Sequence, residues 1–539
     1  MKTIREVEEN ILDLEYKKYR ILKRSYNTAI IHLLKVYGDL YRDFRSDDTL
    51  ELSYYHKQYS LSFLTGGLAR CIKWIAIENN QLNEEHTISR EIDKEAIDFL
   101  IWGYNYERLT NEHVALNRGL CEGTIDPEKK TIEFISKEQI PNMNISQFEF
   151  DRLYIEKIEQ SAPLEELKNN FNEWYEEFKF SFDEIDIPWE KVRDLEVYNH
   201  IINWLRDEFF FDLRKETTFG SYGVEDFVKV YSALFINFIY YTWYEDYIDL
   251  NFGLENHLGS CIVTLGMEDF ISWLSEMSLV ERKKVNEIVN DLTINLHNFH
   301  SKLVFQPFIC LNDIVYVSPR LLISIDPRRM FFGAINSVKK PIYDSIVKSI
   351  EEFNLQEIES YLKGLNCEIY IDKKISKRGK VLTPDLLLVD RKNKIFVIGD
   401  YKHFLRPIGI LDVSNKSGEV IKAIKQINEY YDFINDEDIK VKEENFNFTC
   451  YKGYKLLLFQ FPMPLPLNED EDIIIYDWTN LQQILMVQEI YSLKELIYYI
   501  ERKVANIKIN SCKYSFVSQD INVGEWTYKK YIYVAEKGQ

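Results

Sequence analysis

Along the first 300 residues, apolar positions recur every three or four residues, the period of helices with one buried face. The stretch "IREVEENILDLEYKKYRILKRSYNTAIIHLLKVYGDLYRDF" keeps that spacing throughout, and it returns at 90–117, 147–180, 189–214, 224–247 and 267–300. One segment departs from it. "GLCEGTIDPEKKTIEFI" alternates around Asp126-Pro127 and predicts a hairpin near 118–135. Pro163 in "SAPLEEL", with acids in the turn that follows, marks a helix start. Beyond residue 300 the period shortens. "KLVFQPFICLNDIVYVSPRLLISIDPRRM" has two β-rich runs about Asn312-Asp313 and then Pro319 and Pro327, so 301–340 reads as a small β connector. A helix over about 342–363 precedes the strands "CEIYID", "PDLLLVD" and "KIFVIGD", the helix "GEVIKAIKQINEYYDFIN", and the strands "YKLLLFQF" and "DIIIYDW". Helical segments run on to about 503, and 505–539 reads as a terminal hairpin. The expected fold is multidomain α+β: a large, mostly helical N-terminal region over 1–300, then an α/β domain over 341–504 with a central mixed sheet.

At 539 residues the chain exceeds what one core organises, and two to four domains are expected. The most apolar helical run, "YSALFINFIYYTWYEDYI", is interrupted by Glu245 and Asp246, which favours a buried helix over a membrane span. The first twenty residues are charged throughout and lack the apolar core of a secretory signal. The seven cysteines are dispersed with no CxxC pair, which suits reduced thiols in a cytoplasm. A net charge of −21 argues against a nucleic-acid binder in general. Residues 326–425 depart from this, with 19 Lys+Arg against 13 Asp+Glu. This basic window in an acidic protein surrounds the segment with the most suggestive chemistry.

That segment is "TPDLLLVDRKNKIFVIGDYKHF", residues 383–404, two apolar strands joined by a polar turn. Asp385 begins the first strand and Asp400 ends the second, so an antiparallel pairing makes them neighbours. Asp400 and Lys402 are two apart and share a face, with Tyr401 on the other. Two carboxylates can hold a hard cation such as Mg²⁺, with Mn²⁺ as a substitute, and the ammonium can orient a water or offset charge on a phosphate. The bland reading, a surface ion pair at a strand end, carries little stability and no function.

Pro384-Asp385, fourteen intervening residues and Asp400-Tyr401-Lys402 resemble the PD-(D/E)xK nuclease superfamily. Gln426-Ile427-Asn428-Glu429-Tyr430, on the helix after the second strand, resembles the Q-x-x-x-Y helix of its RecB-like branch. The resemblance covers about 342–480. It implies a nuclease domain over 341–504 with Asp385 and Asp400 as metal ligands, Lys402 as a catalytic residue, and Gln426 and Tyr430 holding Lys402 or the nucleic acid. It also implies a glutamate on the preceding helix. Glu351 ends the apolar stripe Leu355-Ile358-Leu362 and is preferred as catalytic and metal residue over Glu352, which projects about 100° away, and Glu357. Lys373, Lys374, Lys377, Arg378 and Lys380, in the loop before Pro384, together with His403 and Lys422, are the expected nucleic-acid contacts. His297 and His300 have ligand-like spacing but no third partner nearby. The resemblance further implies DNA cleavage in a bacterial restriction or antiphage defence system. With no GxxxxGK[ST] in the chain, any ATP-driven step falls to a partner NTPase subunit; a homo-oligomer is compatible, and no membrane is expected. An RNase, or an inactive nuclease-fold scaffold acting as an interaction protein, are the competing readings.

Overall fold

The computed structural model describes residues 3–535 apart from 47–53, 79–88, 120, 137–161, 175–178, 181–184, 187–195, 253–261, 297–301, 405–408, 436–438, 442–443, 461–471, 488–489 and 510–513. His297 and His300 therefore lie outside the described residues. The protein is mixed α+β, with helices dominating the N-terminal part and several sheets after it.

The N-terminal part is built on long helices, among them Tyr26–Ser46, Tyr54–Glu78, Arg90–Asn117, Glu196–Phe209 and Val224–Phe252. Helices Tyr54–Glu78 and Arg90–Asn117 touch backbone to backbone. A Cβ on Gly67 would fall 2.4 Å from the Tyr104 amide nitrogen, and one on Gly103 would fall 2.7 Å from the Gly67 carbonyl oxygen. Only glycine permits that approach.

The stretch 301–340 differs from the expected β connector. Two short strands, Ile309–Leu311 and Ile314–Val317, turn about Asn312-Asp313, both with positive φ, and pair with Val263–Gly266 into a three-stranded sheet. The rest is helix, Pro319–Ser324 and Pro327–Val338. The two prolines are helix starts. The Ser318 hydroxyl accepts from the Leu321 amide and the Asp326 carboxylate from the Arg329 amide, with proline in the first turn, where its missing N–H costs nothing. Leu321, Leu322, Met330, Phe331 and Phe332 belong to one apolar core with the N-terminal helices. A boundary near residue 301 would cut through that core. The terminal hairpin, Tyr514–Val523 with Trp526–Ala535, also returns to it. Its second strand runs parallel to Thr131–Ser136, and Ile521, Val523, Trp526 and Tyr528 join the same core.

The second core surrounds a five-stranded mixed sheet in the order Ile474–Asp477, Lys452–Phe459, Ile395–Lys402, Leu386–Asp390, Glu368–Ile371. The last three strands are antiparallel neighbours; the first three run parallel. Both faces are covered, which is why these strands read as continuous apolar runs. Leu386, Leu388, Val397 and Tyr401 pack with Ile358, Leu362, Trp478 and Leu493. Leu387, Val389, Phe396 and Ile398 pack with Tyr430 and Ile434 of the helix Gly409–Asn435. The helix Lys340–Leu362 belongs to both cores: Ile346 and Ile350 lie in the first, Ile358 and Leu362 in the second. Glu351 stands at the crossing. Among the described residues no helix is long and apolar enough to cross a membrane.

Candidate active site

Strand register fixes the site. Leu386 pairs with Gly399 and Asp390 with Ile395. One further step along that register sets Asp385 opposite Asp400, on the face that carries Ile398 and looks toward the helix Gly409–Asn435. The other strand-end acid, Asp390, serves the turn instead. Its carboxylate accepts from the Asn393 backbone and side-chain amides at 2.9 and 2.7 Å and closes the hairpin.

Asp385 and Asp400 are hydrogen-bonded to each other, which requires a shared proton, and one Asp385 oxygen also accepts from the Tyr401 amide at 2.9 Å. Burial, then the hydrogen bond to Asp400 and the Asp400 charge, push the Asp385 carboxyl up to about 8. The Lys402 ammonium lies 2.7 Å from Asp400 Oδ2. Burial works against the lysine's charge, but Asp400, then Asp385 and Glu351, outweigh it and hold its pKa above the ordinary value. The Lys402 side chain is 28% exposed while that of Asp400 is 2% exposed, so the lysine is the more open of the two to solvent.

Of the three glutamates, Glu351 is the one that reaches the site. Burial raises its pKa, Lys402 opposes the shift, Asp385 adds to it, and the His403 backbone N–H donates to its carboxylate. Glu352 is exposed. Glu357 turns away and accepts from Trp478 Nε1 and Gln482 Nε2, each at 3.3 Å. Gln426 and Tyr430 share a helix face: the Gln426 amide donates to the Tyr430 hydroxyl, which donates to the Thr383 carbonyl at 3.2 Å. That bond ties the helix to the segment entering Asp385, where the expectation was a hold on Lys402 or on the nucleic acid.

The basic segment before Pro384 is a hairpin rather than a loop. Ile375–Lys377 pairs with Lys380–Leu382 across Arg378-Gly379, both at positive φ. Lys373, Lys374, Arg378 and Lys380 are exposed and Lys377 half-buried; Lys380 also pairs with Glu429 at 2.7 Å. Lys422 is exposed on the helix after the second strand. His403 contradicts its expected phosphate contact. It is buried, and burial first, then the Arg328 charge, push its pKa down to about 4, so it is neutral and faces inward. Its position depends on the docking of the helical core, which no local pattern encodes. Asp212 and Arg328, missed for the same reason, are among the charges that act on it.

Among the described residues no group of three His, Cys, Asp or Glu side chains stands in metal-holding geometry. The donor chemistry at Asp385 and Asp400 nonetheless fits a hard cation. Asp400 Oδ2 is buried and accepts no aligned hydrogen bond in spite of its ion pair, and two carboxylates held against each other are relieved when a cation replaces their shared proton. No protein-family model, curated protein or solved structure matches this chain.

Proposed function

We propose that the protein is a divalent-cation-dependent nuclease that hydrolyses phosphodiester bonds of DNA, with a PD-(D/E)xK core over residues 341–504. The observation that carries this is the pairing of Asp385 with Asp400 on one sheet face, with the Lys402 ammonium 2.7 Å from Asp400. Asp385 and Asp400 would hold Mg²⁺ or Mn²⁺, with Glu351 beside them. A cation bound there supplies Lewis-acid polarisation of a phosphate and a lowered pKa for water. The chain's own groups do the rest. Lys402, partly exposed, holds a water or a phosphate oxygen and offsets negative charge developing there. Gln426 and Tyr430 keep the segment before Asp385 in place through Thr383. The hairpin of Lys373, Lys374, Lys377, Arg378 and Lys380 offers positive charge to a polyanionic strand within an acidic protein. A role beside an NTPase in restriction or antiphage defence is the setting that suits such a nuclease.

A second reading, a non-catalytic nuclease-fold scaffold, is favoured by one observation: Asp385 and Asp400 satisfy each other through a shared proton. Incubating the full chain with plasmid DNA, linear DNA and RNA in Mg²⁺, Mn²⁺ or EDTA separates the readings. Cation-dependent DNA cleavage lost in Asp400→Asn supports the first. Intact nucleic acid under every condition supports the scaffold, and cleavage of RNA alone moves the substrate assignment.

A further inference from the structure

The ladder between the two site strands ends at the Leu386–Gly399 pair. Asp385, one residue beyond, is held by bonds outside that ladder. Its carbonyl accepts from the Asp372 amide at 3.0 Å, and the Thr383 carbonyl just upstream accepts from the Tyr430 hydroxyl at 3.2 Å. Its carboxylate accepts from the Tyr401 backbone N–H at 2.9 Å. Only this last bond acts on the carboxylate itself. It commits Oδ2 and sets which way the group faces Asp400. The residue between Asp400 and Lys402 therefore touches the site through its main chain.

The Tyr401 side chain points to the other face. It is buried in the apolar cluster that contains Ile358, Leu362 and Trp478. There its hydroxyl donates to the Gln460 side-chain carbonyl. Gln460 is itself buried and follows the strand Lys452–Phe459, which runs parallel to the Asp400 strand with Leu458 beside Tyr401 and Phe459 beside Lys402. The Gln460 main-chain carbonyl accepts from the Thr479 hydroxyl at 2.9 Å, in the first turn of the helix Trp478–Val487. One phenol–amide bond thus ties the strand end that carries Asp400 and Lys402 to the neighbouring strand and to a helix on that face. A phenylalanine with an aliphatic partner would fill this space with no polar atoms to satisfy. What the buried polar pair adds is direction, because its bond is met in one arrangement of the two segments.

Resting on the nuclease reading above, we propose that Tyr401 and Gln460 are positioning residues of the cleavage site. Their bond fixes the strand end about its own axis. The Tyr401 N–H is then aimed at Asp385, and Asp400 and Lys402 are presented together on the opposite face. The Tyr401 ring lies across the sheet from Asp400, so the pair acts through the main chain it holds.

The test compares Tyr401→Phe, Gln460→Leu and the double variant in the full chain. Either single change strands the other polar group and should lower the melting temperature, whereas the double variant removes both partners and should recover it. Three quantities are read beside the melting temperature: kcat, KM for DNA, and amide hydrogen exchange over residues 398–404. A positioning role predicts a loss of about 10- to 100-fold in kcat, the scale for removing a group that orients a metal ligand. KM should be unchanged and exchange at 398–404 faster, in the double variant as in the single ones. A double variant that recovers stability together with parental kcat and parental exchange overturns the proposal, since the pair then serves packing alone. If the parent protein cleaves nothing, the nuclease reading falls, and the exchange data still decide whether the pair holds the strand end. If Gln460→Leu does not fold, Tyr401→Phe, which keeps the ring, and the double variant decide by the same split.

Discussion

The two cores differ in how closely their buried carboxylates approach one another. In the helical core, buried ions meet opposite partners at close range. Arg328 forks onto Asp212, Arg320 meets Glu245 at 2.9 Å, Lys35 meets Asp93 at 2.5 Å, and the half-buried Lys339 lies 2.5 Å from the buried Asp291. In the α/β core, two carboxylates meet each other, Asp385 against Asp400, and their lysine leans toward solvent. Opposite pairs settle a structure, because removing one partner strands the other's charge. A like pair in a buried place settles nothing by itself and is the usual mark of a site awaiting a ligand or a proton. Under the proposed nuclease reading, the difference would separate scaffold from chemistry.

Alanine substitution should split the two classes most sharply. Asp400→Ala should abolish cleavage, by more than about 10³-fold where the attack depends on a bound cation, and should leave the melting temperature near that of the parent. Asp212→Ala should instead destabilise by about 3–5 kcal/mol, the scale for stranding a buried charge, seen as a lower midpoint in urea unfolding. If both substitutions lower stability equally, the contrast between the cores fails. The next largest effect is at Lys402. Lys402→Ala should cut single-turnover cleavage by about 10²–10³-fold, the scale for one preorganised electrostatic group, while cation binding persists. A parental rate would remove the lysine from the mechanism.

A smaller effect follows from the proton held by Asp385. Its folded pKa of about 8 lies above the ordinary aspartate value, so the folded state binds this proton more tightly than the unfolded chain. That contribution is complete below about pH 4 and is lost as pH rises toward 8. In EDTA, Asp385→Asn carries no such proton and should gain in melting temperature relative to the parent between pH 5 and pH 8. A constant difference across that range contradicts the raised pKa. The smallest effect concerns the basic hairpin. Neutralising Lys373 and Lys374 should reduce the salt dependence of DNA affinity by about one unit of slope per charge with little change in the rate at saturating DNA; an unchanged slope would place the nucleic acid elsewhere.

The site hairpin was legible because its information is local. Two apolar runs and a short polar turn fix the register, and the register brings Asp385 to Asp400 without reference to the rest of the chain. The choice of Glu351 followed from helical spacing, since one turn's phase sends Glu357 to Trp478 instead. The helices over 319–338 were masked by apolar, β-rich composition; Ser318-Pro319 and Asp326-Pro327, each a capping residue followed by proline, were the signal that could have revealed them. The Arg328–Asp212 fork and the union of the terminal hairpin with Thr131–Ser136 depend on contacts between residues more than a hundred positions apart, and no periodicity reports such pairs.

The central claim is that Asp385 and Asp400 hold a cation together, and calorimetric titration of Mn²⁺ into the full chain at pH 8 tests it most directly. The account predicts saturable binding by the parent, retained in Lys402→Ala and lost in both Asp385→Asn and Asp400→Asn. Binding by either asparagine variant with the parent's affinity and stoichiometry would contradict it.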